Sequence, residues 1–240
     1  MLPPDAAIEA PSRTSDRAER AIAAFERAIR AAPEVDISWI GRPLSEDGWE
    51  LAPDVLRLLS SLVSIVRPRH VVEFGSGLST VVLARAASQL SGCKVSSIDH
   101  DPTFARATAA MLDPEDAAVV SLQCAPLVAR VQAGRLHPTY LVDRDRLGSK
   151  RAADVILIDG PPAALGGRLG MLYQALDYAQ SGSIVLLDDA DRDGEREALA
   201  EWQRVLEDAI QVYEPAGFGH GLAAVVLAAP TVARIRMGQP

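Results

Sequence analysis

Three apolar runs, each with an acidic residue at or directly after its end, constrain the fold of this chain more than any other feature. They span residues 70–74, 154–158 and 183–187, and segments with helical patterns lie between them. Strands that are apolar on both faces are typical of parallel sheets covered by helices on both sides. The sequence therefore predicts an α/β protein with a doubly wound, Rossmann-like, mostly parallel sheet.

Length and pattern predict one main domain with an extension at its N-terminus. The chain has 240 residues, which suits a single domain of this class. An amphipathic helix is predicted over residues 15–32, and a loop with two tryptophans over residues 36–51. We predict an extension over residues 1–51, acting as a lid or a dimer contact, and a ligand-binding domain over residues 52–240. The apolar stripe of the helix is compatible with a homodimer.

Composition and charge argue against several classes of protein. The net charge of −8 argues against nucleic acid as a partner, because phosphate binding requires a basic surface. No apolar run reaches the roughly 20 residues of a membrane helix, and the N-terminus lacks the pattern of a signal peptide. We expect a cytoplasmic protein without a membrane partner, in which Cys93 and Cys124 lie too far apart for a disulfide.

The first apolar run leads into a glycine turn that is typical of nucleotide-binding sites. Residues 70–80 have the sequence HVVEFGSGLST, so that Gly75 and Gly77 follow a strand and precede a helix. Glycine lets a ligand approach the backbone, and the free N–H groups at the start of the helix then face that ligand. A dinucleotide-binding turn would have a third glycine where this chain has Thr80.

The pattern E-x-G-x-G from Glu73 to Gly77 resembles motif I of the class I S-adenosylmethionine-dependent methyltransferases. The order of elements over about residues 52–228 is similar to that family, which implies a seven-stranded sheet with an antiparallel C-terminal strand. A second strand is predicted over residues 94–98, and Asp99 follows it. The resemblance implies that Asp99 binds the ribose hydroxyls, for which a carboxylate is a suitable acceptor. The cofactor-binding residues that it implies are Glu73, Phe74, Gly75, Ser76, Gly77, Ser79, Thr80, Asp99, His100, Ala125 and Asp159.

Acidic residues after the apolar runs 154–158 and 183–187, the predicted fourth and fifth strands, make the chain resemble one group within this family. Asp159, Asp188 and Asp189 match the metal-binding positions of small metal-dependent O-methyltransferases of the catechol and macrocin types. Three converging carboxylates repel one another unless a cation is present, and such hard oxygen ligands suit Mg²⁺ or another divalent cation. The resemblance thus implies a metal at these three aspartates, which would bind a substrate oxygen and stabilise its deprotonated form.

Further candidates lie near the ends of the predicted strands and in the N-terminal loop. The resemblance places Asp159 near the methyl group, which makes it a catalytic candidate. Without a metal, His220, in the loop before the last strand, would be the natural base. Aromatic and arginine side chains suit a pocket for a planar or anionic substrate. The candidates for that pocket are Trp39, Trp49, Tyr140, Arg168 and Arg192.

We therefore predict an enzyme that moves the methyl group of S-adenosylmethionine to a small-molecule acceptor, in particular to an oxygen, in bacterial secondary metabolism. Three alternatives stay open: an aminopropyltransferase of the polyamine-synthase type, an NAD-dependent oxidoreductase, and a binding protein that keeps the fold without catalysis. Residues 159–162 do not resemble the catalytic stretch of the first alternative, and Thr80 disfavours the second.

Overall fold

The computed structural model describes residues 11–41, 50–149 and 151–228, and a seven-stranded sheet lies at its centre. The strands are β1 (His70–Phe74), β2 (Lys94–Asp99), β3 (Val120–Cys124), β4 (Leu127–Gln132), β5 (Arg135–Tyr140), β6 (Ala153–Ile158), β7 (Ala179–Asp188), β8 (Ile210–Tyr213) and β9 (Leu222–Leu227). The helices are α1 (Pro11–Ala31), α2 (Pro53–Val66), α3 (Leu78–Ser88), α4 (Pro102–Met111), α5 (Pro114–Ala117), α6 (Met171–Ala175) and α7 (Asp193–Leu206).

The topology of the main sheet confirms the predicted fold class. The strand order is β3-β2-β1-β6-β7-β9-β8, while β4 and β5 form a separate hairpin. The neighbours from β3 to β7 pair in parallel, and β9 runs antiparallel to both β7 and β8. The order reverses between β1 and β6, so the carboxyl ends of these two strands border the crevice at which such sheets bind ligands.

Alternate residues of the strands face two separate apolar cores. Val71 of β1 packs in a core with α1, α2 and α3, whereas Val72 and Phe74 pack in a second core with α6 and α7. Because successive side chains of a strand point to opposite faces, two covered faces require an almost continuous apolar run. In the described part of the chain, no helix combines the length and the apolar character needed to cross a bilayer.

Helix α1 contributes to the first of these cores. Its side chains Ala18, Phe25 and Ala28 are buried in the same cluster as side chains of α2 and β7. A Cβ at Gly182 of β7 would lie 3.0 Å from the carbonyl oxygen of Arg17, so helix and strand are in close contact. The apolar stripe of α1 is thus covered within the chain, and the division at residue 51, the lid and the dimer stay predictions.

Residues 127–140 form a hairpin where the sequence pattern predicts part of a long polar loop over residues 128–150. Its strands pair antiparallel, and Ala133 and Gly134 at the turn both have positive φ. A two-residue turn of this kind normally carries Asn-Gly, so the Ala-Gly pair gives only a weak signal. The hairpin matters for function because its last residue, Tyr140, lies against Gly160 at the end of β6.

The apolar pattern over about residues 168–180 predicts one helix there, and this prediction is wrong in length. Helix α6 is confined to Met171–Ala175, and β7 already begins at Ala179. The pairing of β7 with β6 is irregular between Ala179 and Ile184, where Gly182 has a φ of +81°. A short buried helix and a buried strand have similar apolar runs, and here only packing separates them.

Candidate active site

The chain turns sharply at Gly75, directly after β1. Gly75 has a φ of +96°, in the left-handed region that residues with a Cβ adopt only with strain. A Cβ here would also lie 3.0 Å from the backbone nitrogen of Gly160, which follows β6. At Gly77, which precedes α3, no protein atom in the described part of the chain lies within 4 Å of an added Cβ. The turn therefore closes tightly against β6 and leaves open space at the start of α3.

Glu73 supports this turn from below instead of facing the crevice. Its side chain is fully buried, and Oε2 accepts hydrogen bonds from the hydroxyls of Thr80 and Ser97. The Thr80 hydroxyl in turn accepts a hydrogen bond from the N–H of Gly77. Burial raises the pKa of Glu73 to about 7, although hydrogen bonds from Ser79, Ser97 and Thr80 oppose the shift. Glu73, Ser79 and Thr80 are all buried beneath the turn, and their contact with the cofactor stays a prediction.

Phe74 directly precedes the turn, and its contact with the cofactor also stays a prediction. Its ring is buried in the second core and stacks on Tyr140 with 5.6 Å between the ring centroids. Its carbonyl oxygen accepts hydrogen bonds from the N–H groups of Asp159 and Gly160. Phe74 thus ties β1 to the end of β6 through its backbone.

Tyr140 lies near both Asp99, at the end of β2, and Asp159, which follows β6. A Cβ on Gly160 would collide with its hydroxyl, which is buried without a hydrogen-bond partner among the described residues. Burial, and then the negative charges of Asp99 and Asp159, raise the pKa of Tyr140 far above its usual value. Because only 2% of Tyr140 is exposed, the structure does not place it on an open substrate surface.

Asp99 lies beside the glycine turn, at the carboxyl end of β2. Its Oδ2 accepts hydrogen bonds from the N–H and the hydroxyl of Ser76, at 2.7 and 2.8 Å. Its Oδ1 accepts from the N–H of Asp101 at 2.8 Å, and Nδ1 of His100 lies 3.4 Å away. Ala125, at the end of β3, is buried and donates its N–H to the carbonyl oxygen of Asp99. A carboxylate with two acceptor oxygens thus stands next to the turn, with Ser76 and Asp101 as its present donors, and its contact with a ribose stays a prediction.

The carboxylates of Asp159, Asp188 and Asp189 lie together at the carboxyl ends of β6 and β7, and we call them the acidic cluster. Oxygen atoms of Asp159, Asp188 and Asp189 lie within 4.8 Å of one another, so the predicted convergence of these residues is present. Burial raises the pKa of Asp159 to about 6 and that of Asp188 well above its usual range. The neighbouring carboxylates contribute to both of these rises in pKa, and the guanidinium of Arg168 opposes them.

Arg168 lies inside this acidic cluster and not on a substrate surface, where it was expected. Its Nη2 is 3.0 Å from Oδ1 of Asp159 and 3.0 Å from Oδ2 of Asp189. Its Nη1 donates to the carbonyl oxygen of Asp188 at 2.6 Å, and its Nε lies 3.8 Å from Oε1 of Glu195. Only 6% of the Arg168 side chain is exposed, so the guanidinium is a buried counter-charge.

Arg192 and His220 lie at the exposed rim of the same cluster. Nη1 of Arg192 is 2.8 Å from Oδ2 of Asp189, and Nδ1 of His220 is 3.9 Å from its Oδ1. More than half of each side chain is exposed, at 56% for Arg192 and 65% for His220. The loop that carries His220 is held in place because the N–H of Asp191 donates to the His220 carbonyl oxygen. Both predicted residues therefore reach the site, from its solvent side.

One other substrate candidate, Trp39, is not brought to the crevice. The ring of Trp39 lies under the guanidinium of Arg85, 4.6 Å from its centroid, and Arg85 also binds Asp113 and Asp116. Arg85 is in the last turn of α3, the end of that helix remote from the glycine turn. The prediction for Trp39 is thus corrected, and Trp49 lies outside the described residues.

The contribution of Arg168 to the cluster is the feature that sequence reasoning missed. Gly166 and Gly170 flank it, and a Cβ at either would collide with Pro138 or His137 of the hairpin. Glycines on both sides of one arginine, close after Asp159, could have indicated that this segment packs closely against another part of the chain. The partner strand β5 was not predicted, and the contact could not be inferred without it.

Comparison with known proteins agrees with this geometry. The profile of a protein family described as a methyltransferase domain matches residues 72–190. No curated protein matches the chain. The solved structure of the O-methyltransferase TomG from Streptomyces achromogenes, involved in tomaymycin synthesis and in complex with S-adenosylmethionine, is similar, with a TM-score of 0.56 at 18% identity. That match covers 86% of this chain and 90% of TomG.

Two further structures support the same fold. The methyltransferase PaMTH1 from Podospora anserina, bound to S-adenosylhomocysteine, has a TM-score of 0.55 at 15% identity, with coverage of 95% of this chain and 98% of that one. The O-methyltransferase from Bacillus cereus, in complex with S-adenosylhomocysteine, has a TM-score of 0.53 at 16% identity, with coverage of 85% and 90%. The family profile runs from β1 past the end of β7, through both ends of the crevice. Residues 72–190 thus match a methyltransferase domain, and the chain has the fold of these methyltransferases.

Proposed function

We propose that this methyltransferase transfers the methyl group to an oxygen atom of a small-molecule acceptor. The observation that carries the proposal is that Asp99, a carboxylate suited to a ribose, and the acidic cluster around Asp159 lie at the carboxyl ends of strands on either side of β1 in one sheet. The similar structures from Streptomyces achromogenes and Bacillus cereus are named O-methyltransferases, and the first is involved in tomaymycin synthesis. We extend that likeness to an acceptor from secondary metabolism.

Asp99 and the glycine turn would bind the nucleoside part of the methyl donor. A carboxylate can accept a hydrogen bond from each of two neighbouring ribose hydroxyls. Ser76 now donates to the same carboxylate through its N–H and its hydroxyl, so ribose binding requires at least the hydroxyl to turn away. The open space at Gly77 lets a ligand approach the start of α3.

The charge of the acidic cluster suits the reactive end of the donor. S-adenosylmethionine supplies a methyl group on a positively charged sulfur. The cluster with its neighbours holds the carboxylates of Asp159, Asp188, Asp189 and Glu195 and the guanidinium groups of Arg168 and Arg192. Its formal excess of negative charge would attract a sulfonium, and loss of that charge on transfer would weaken binding of the product.

His220 is the residue that we propose as the base for the acceptor hydroxyl. It lies at the exposed rim of the cluster, where an acceptor can enter from solvent. Asp189, 3.9 Å from its Nδ1, would stabilise the imidazolium that forms when His220 takes the proton. The remaining task of the protein is to align the acceptor oxygen with the methyl group.

A divalent cation does not fit this cluster as its residues stand. The three aspartates offer hard oxygen ligands within 4.8 Å of one another, which favours the predicted Mg²⁺. The guanidinium of Arg168, however, already binds oxygen atoms of Asp159 and Asp189 at 3.0 Å. A divalent cation beside it would meet a like charge, at a cost of about 8 kcal/mol for charges of +2 and +1 that lie 4 Å apart near a protein surface. Because the residues as they stand do not fit a metal, the proposed mechanism has no metal step.

The proposal is tested by calorimetric titration with S-adenosylhomocysteine and by turnover of hydroxylated small molecules with isotopically labelled S-adenosylmethionine. We expect micromolar binding and label on an acceptor oxygen. Asp99→Ala should weaken binding by about 1.5–3 kcal/mol, or roughly 10- to 100-fold, the range for a lost hydrogen bond to a charged group.

Asp101→Ala is the matched control, because the carboxylate of Asp101 caps α4 by accepting a hydrogen bond from the N–H of Thr103. It should leave the affinity for S-adenosylhomocysteine unchanged. Unchanged affinity in Asp99→Ala would remove Asp99 from the ribose site. Label found on nitrogen or carbon would contradict an oxygen acceptor.

A further inference from the structure

The acidic cluster already contains a cation that belongs to the protein. Arg168 places one nitrogen 3.0 Å from both Asp159 and Asp189, and a second nitrogen 2.6 Å from the carbonyl oxygen of Asp188. The same guanidinium therefore contacts all three residues that were expected to ligate a metal. It contacts Asp159 and Asp189 through their carboxylates and Asp188 through its backbone carbonyl. Hydrogen bonds between charged groups of this kind are the strong ones, and a planar guanidinium can serve several oxygen atoms at once.

The fold holds Arg168 in this position from several sides. A Cβ at Gly166 would lie 2.8 Å from Cγ of Pro138, and one at Gly170 would collide with His137, so both glycines are pressed against β5. The indole N–H of Trp202, a buried residue of α7, donates to the carbonyl oxygen of Leu169 at 2.7 Å. The backbone on both sides of Arg168 is thus anchored, and the guanidinium is directed into the cluster.

A metal bridging Asp159 and Asp189 would have to displace this guanidinium or stand next to it. Displacement would leave a buried arginine near Glu195 without its other partners, and burial of an unpaired charge is strongly unfavourable. Coexistence would place a divalent cation against a like charge. Mg²⁺ also requires carboxylate oxygens at about 2.0–2.1 Å in near-octahedral geometry. Two of the oxygens that it would need are already hydrogen-bonded to Arg168.

We propose that Arg168 is the resident cation of this site and takes the place of a divalent metal. It is a positioning residue: it neutralises and orients Asp159 and Asp189, and the chemistry that it supports rests on the proposed function. Methyl transfer by this enzyme is accordingly independent of divalent cations. Metal binding can be measured directly, without need of the acceptor.

The test is a titration of the full-length protein with Mn²⁺. Binding is monitored by calorimetry and by the electron paramagnetic resonance signal of free Mn²⁺. The wild type should show no saturable binding up to millimolar Mn²⁺, and equal affinity for S-adenosylhomocysteine in Mg²⁺ and in EDTA. Arg168→Met removes the charge while keeping much of the side-chain volume. This variant should gain at least tenfold in Mn²⁺ affinity, and added Mn²⁺ should raise its melting temperature.

Two further variants separate charge from shape and locate the metal. Arg168→Lys keeps the positive charge and should still exclude Mn²⁺. Addition of Asp188→Asn to Arg168→Met should abolish the gained binding, because one of the three carboxylates is then lost.

Wild-type protein that binds Mn²⁺ at micromolar concentration, with loss of that binding in Asp188→Asn, would overturn the proposal. So would a folded Arg168→Met protein that gains no affinity for Mn²⁺. If Arg168→Met does not fold, the titrations of wild type and Arg168→Lys decide the question, because saturable Mn²⁺ binding by either contradicts a resident guanidinium. Binding of S-adenosylhomocysteine is a separate readout: its absence would count against the proposed function, whatever the metal result.

Discussion

The two ends of the candidate site are built in different ways. At the end that we propose to bind the ribose, here called the ribose end, Gly75, Ser76 and Asp99 are joined by backbone geometry and by short hydrogen bonds at the ends of adjacent parallel strands. At the methyl end, Asp159, Arg168 and Asp189 come from three separate segments and are held together by opposite charges. The first end depends on the shape of the backbone, and the second depends on a balance of buried charge.

This difference predicts different consequences of mutation. A side chain added at the ribose end blocks space that a ligand needs, so ligand affinity should respond first. A change at the methyl end disturbs packing or charge inside the protein, so stability should respond first. Two substitutions test this distinction, and a third tests the buried support of the turn; they follow from the largest expected effect to the smallest.

Gly75→Val should have the largest effect. Valine is strained at a φ of +96°, and its Cβ would lie 3.0 Å from the backbone nitrogen of Gly160. We expect more than 100-fold loss of affinity for S-adenosylhomocysteine in calorimetry, or about 3 kcal/mol. Gly77→Val is the companion variant. No described protein atom lies within 4 Å of the added Cβ there, so this side chain would block a ligand without a clash inside the protein. A folded Gly77→Val protein with normal affinity would show that the turn is not the binding site.

Gly170→Ala tests the methyl end through its support. The added Cβ would collide with His137 of the hairpin, and overpacking of this kind costs about 1–3 kcal/mol. The loss should be seen as a lower free energy of unfolding in urea. Gly194→Ala is the matched control, because no described atom lies within 4 Å of its added Cβ. Equal stability of the two variants would argue against a packed loop around Arg168.

Glu73→Gln should have the smallest effect, and it is seen only as a dependence on pH. The pKa of Glu73 is about 7 in the folded protein and 4.5 in its ordinary state, so the folded state binds more protons between these values. Stability from this group is present below pH 4.5 and is lost as the pH rises through 7. Between pH 6 and 7 the wild type should lose about 1 kcal/mol that Glu73→Gln does not lose.

Urea unfolding at several pH values measures that difference. Glu197→Gln makes the same substitution at an exposed position of α7 and serves as the control. If wild type and Glu73→Gln show parallel stability profiles, Glu73 does not titrate in this range, and its place beneath the turn would need another explanation.

The sequence alone was sufficient for the sheet, the turn and the identity of the acids. Strand runs, glycines and acids that follow strands are local features, and the carboxyl ends of parallel strands necessarily meet at one edge. For this reason the pattern of residues is enough to place Gly75, Asp99 and Asp159 at one crevice. The same reasoning indicated the convergence of Asp159 with Asp188 and Asp189, which the structure contains.

Tertiary structure decided what each of these groups faces. Glu73 belongs to the motif, yet its burial beneath the turn makes it a support, and burial cannot be inferred from a residue's place in a pattern. Arg168 reads as a surface arginine in sequence and becomes the counter-charge of the cluster because glycines 166 and 170 pack on a hairpin that the sequence did not predict. Local sequence determines backbone shape through short-range sterics and hydrogen bonds, whereas the pairing of buried charges depends on segments brought together only by folding.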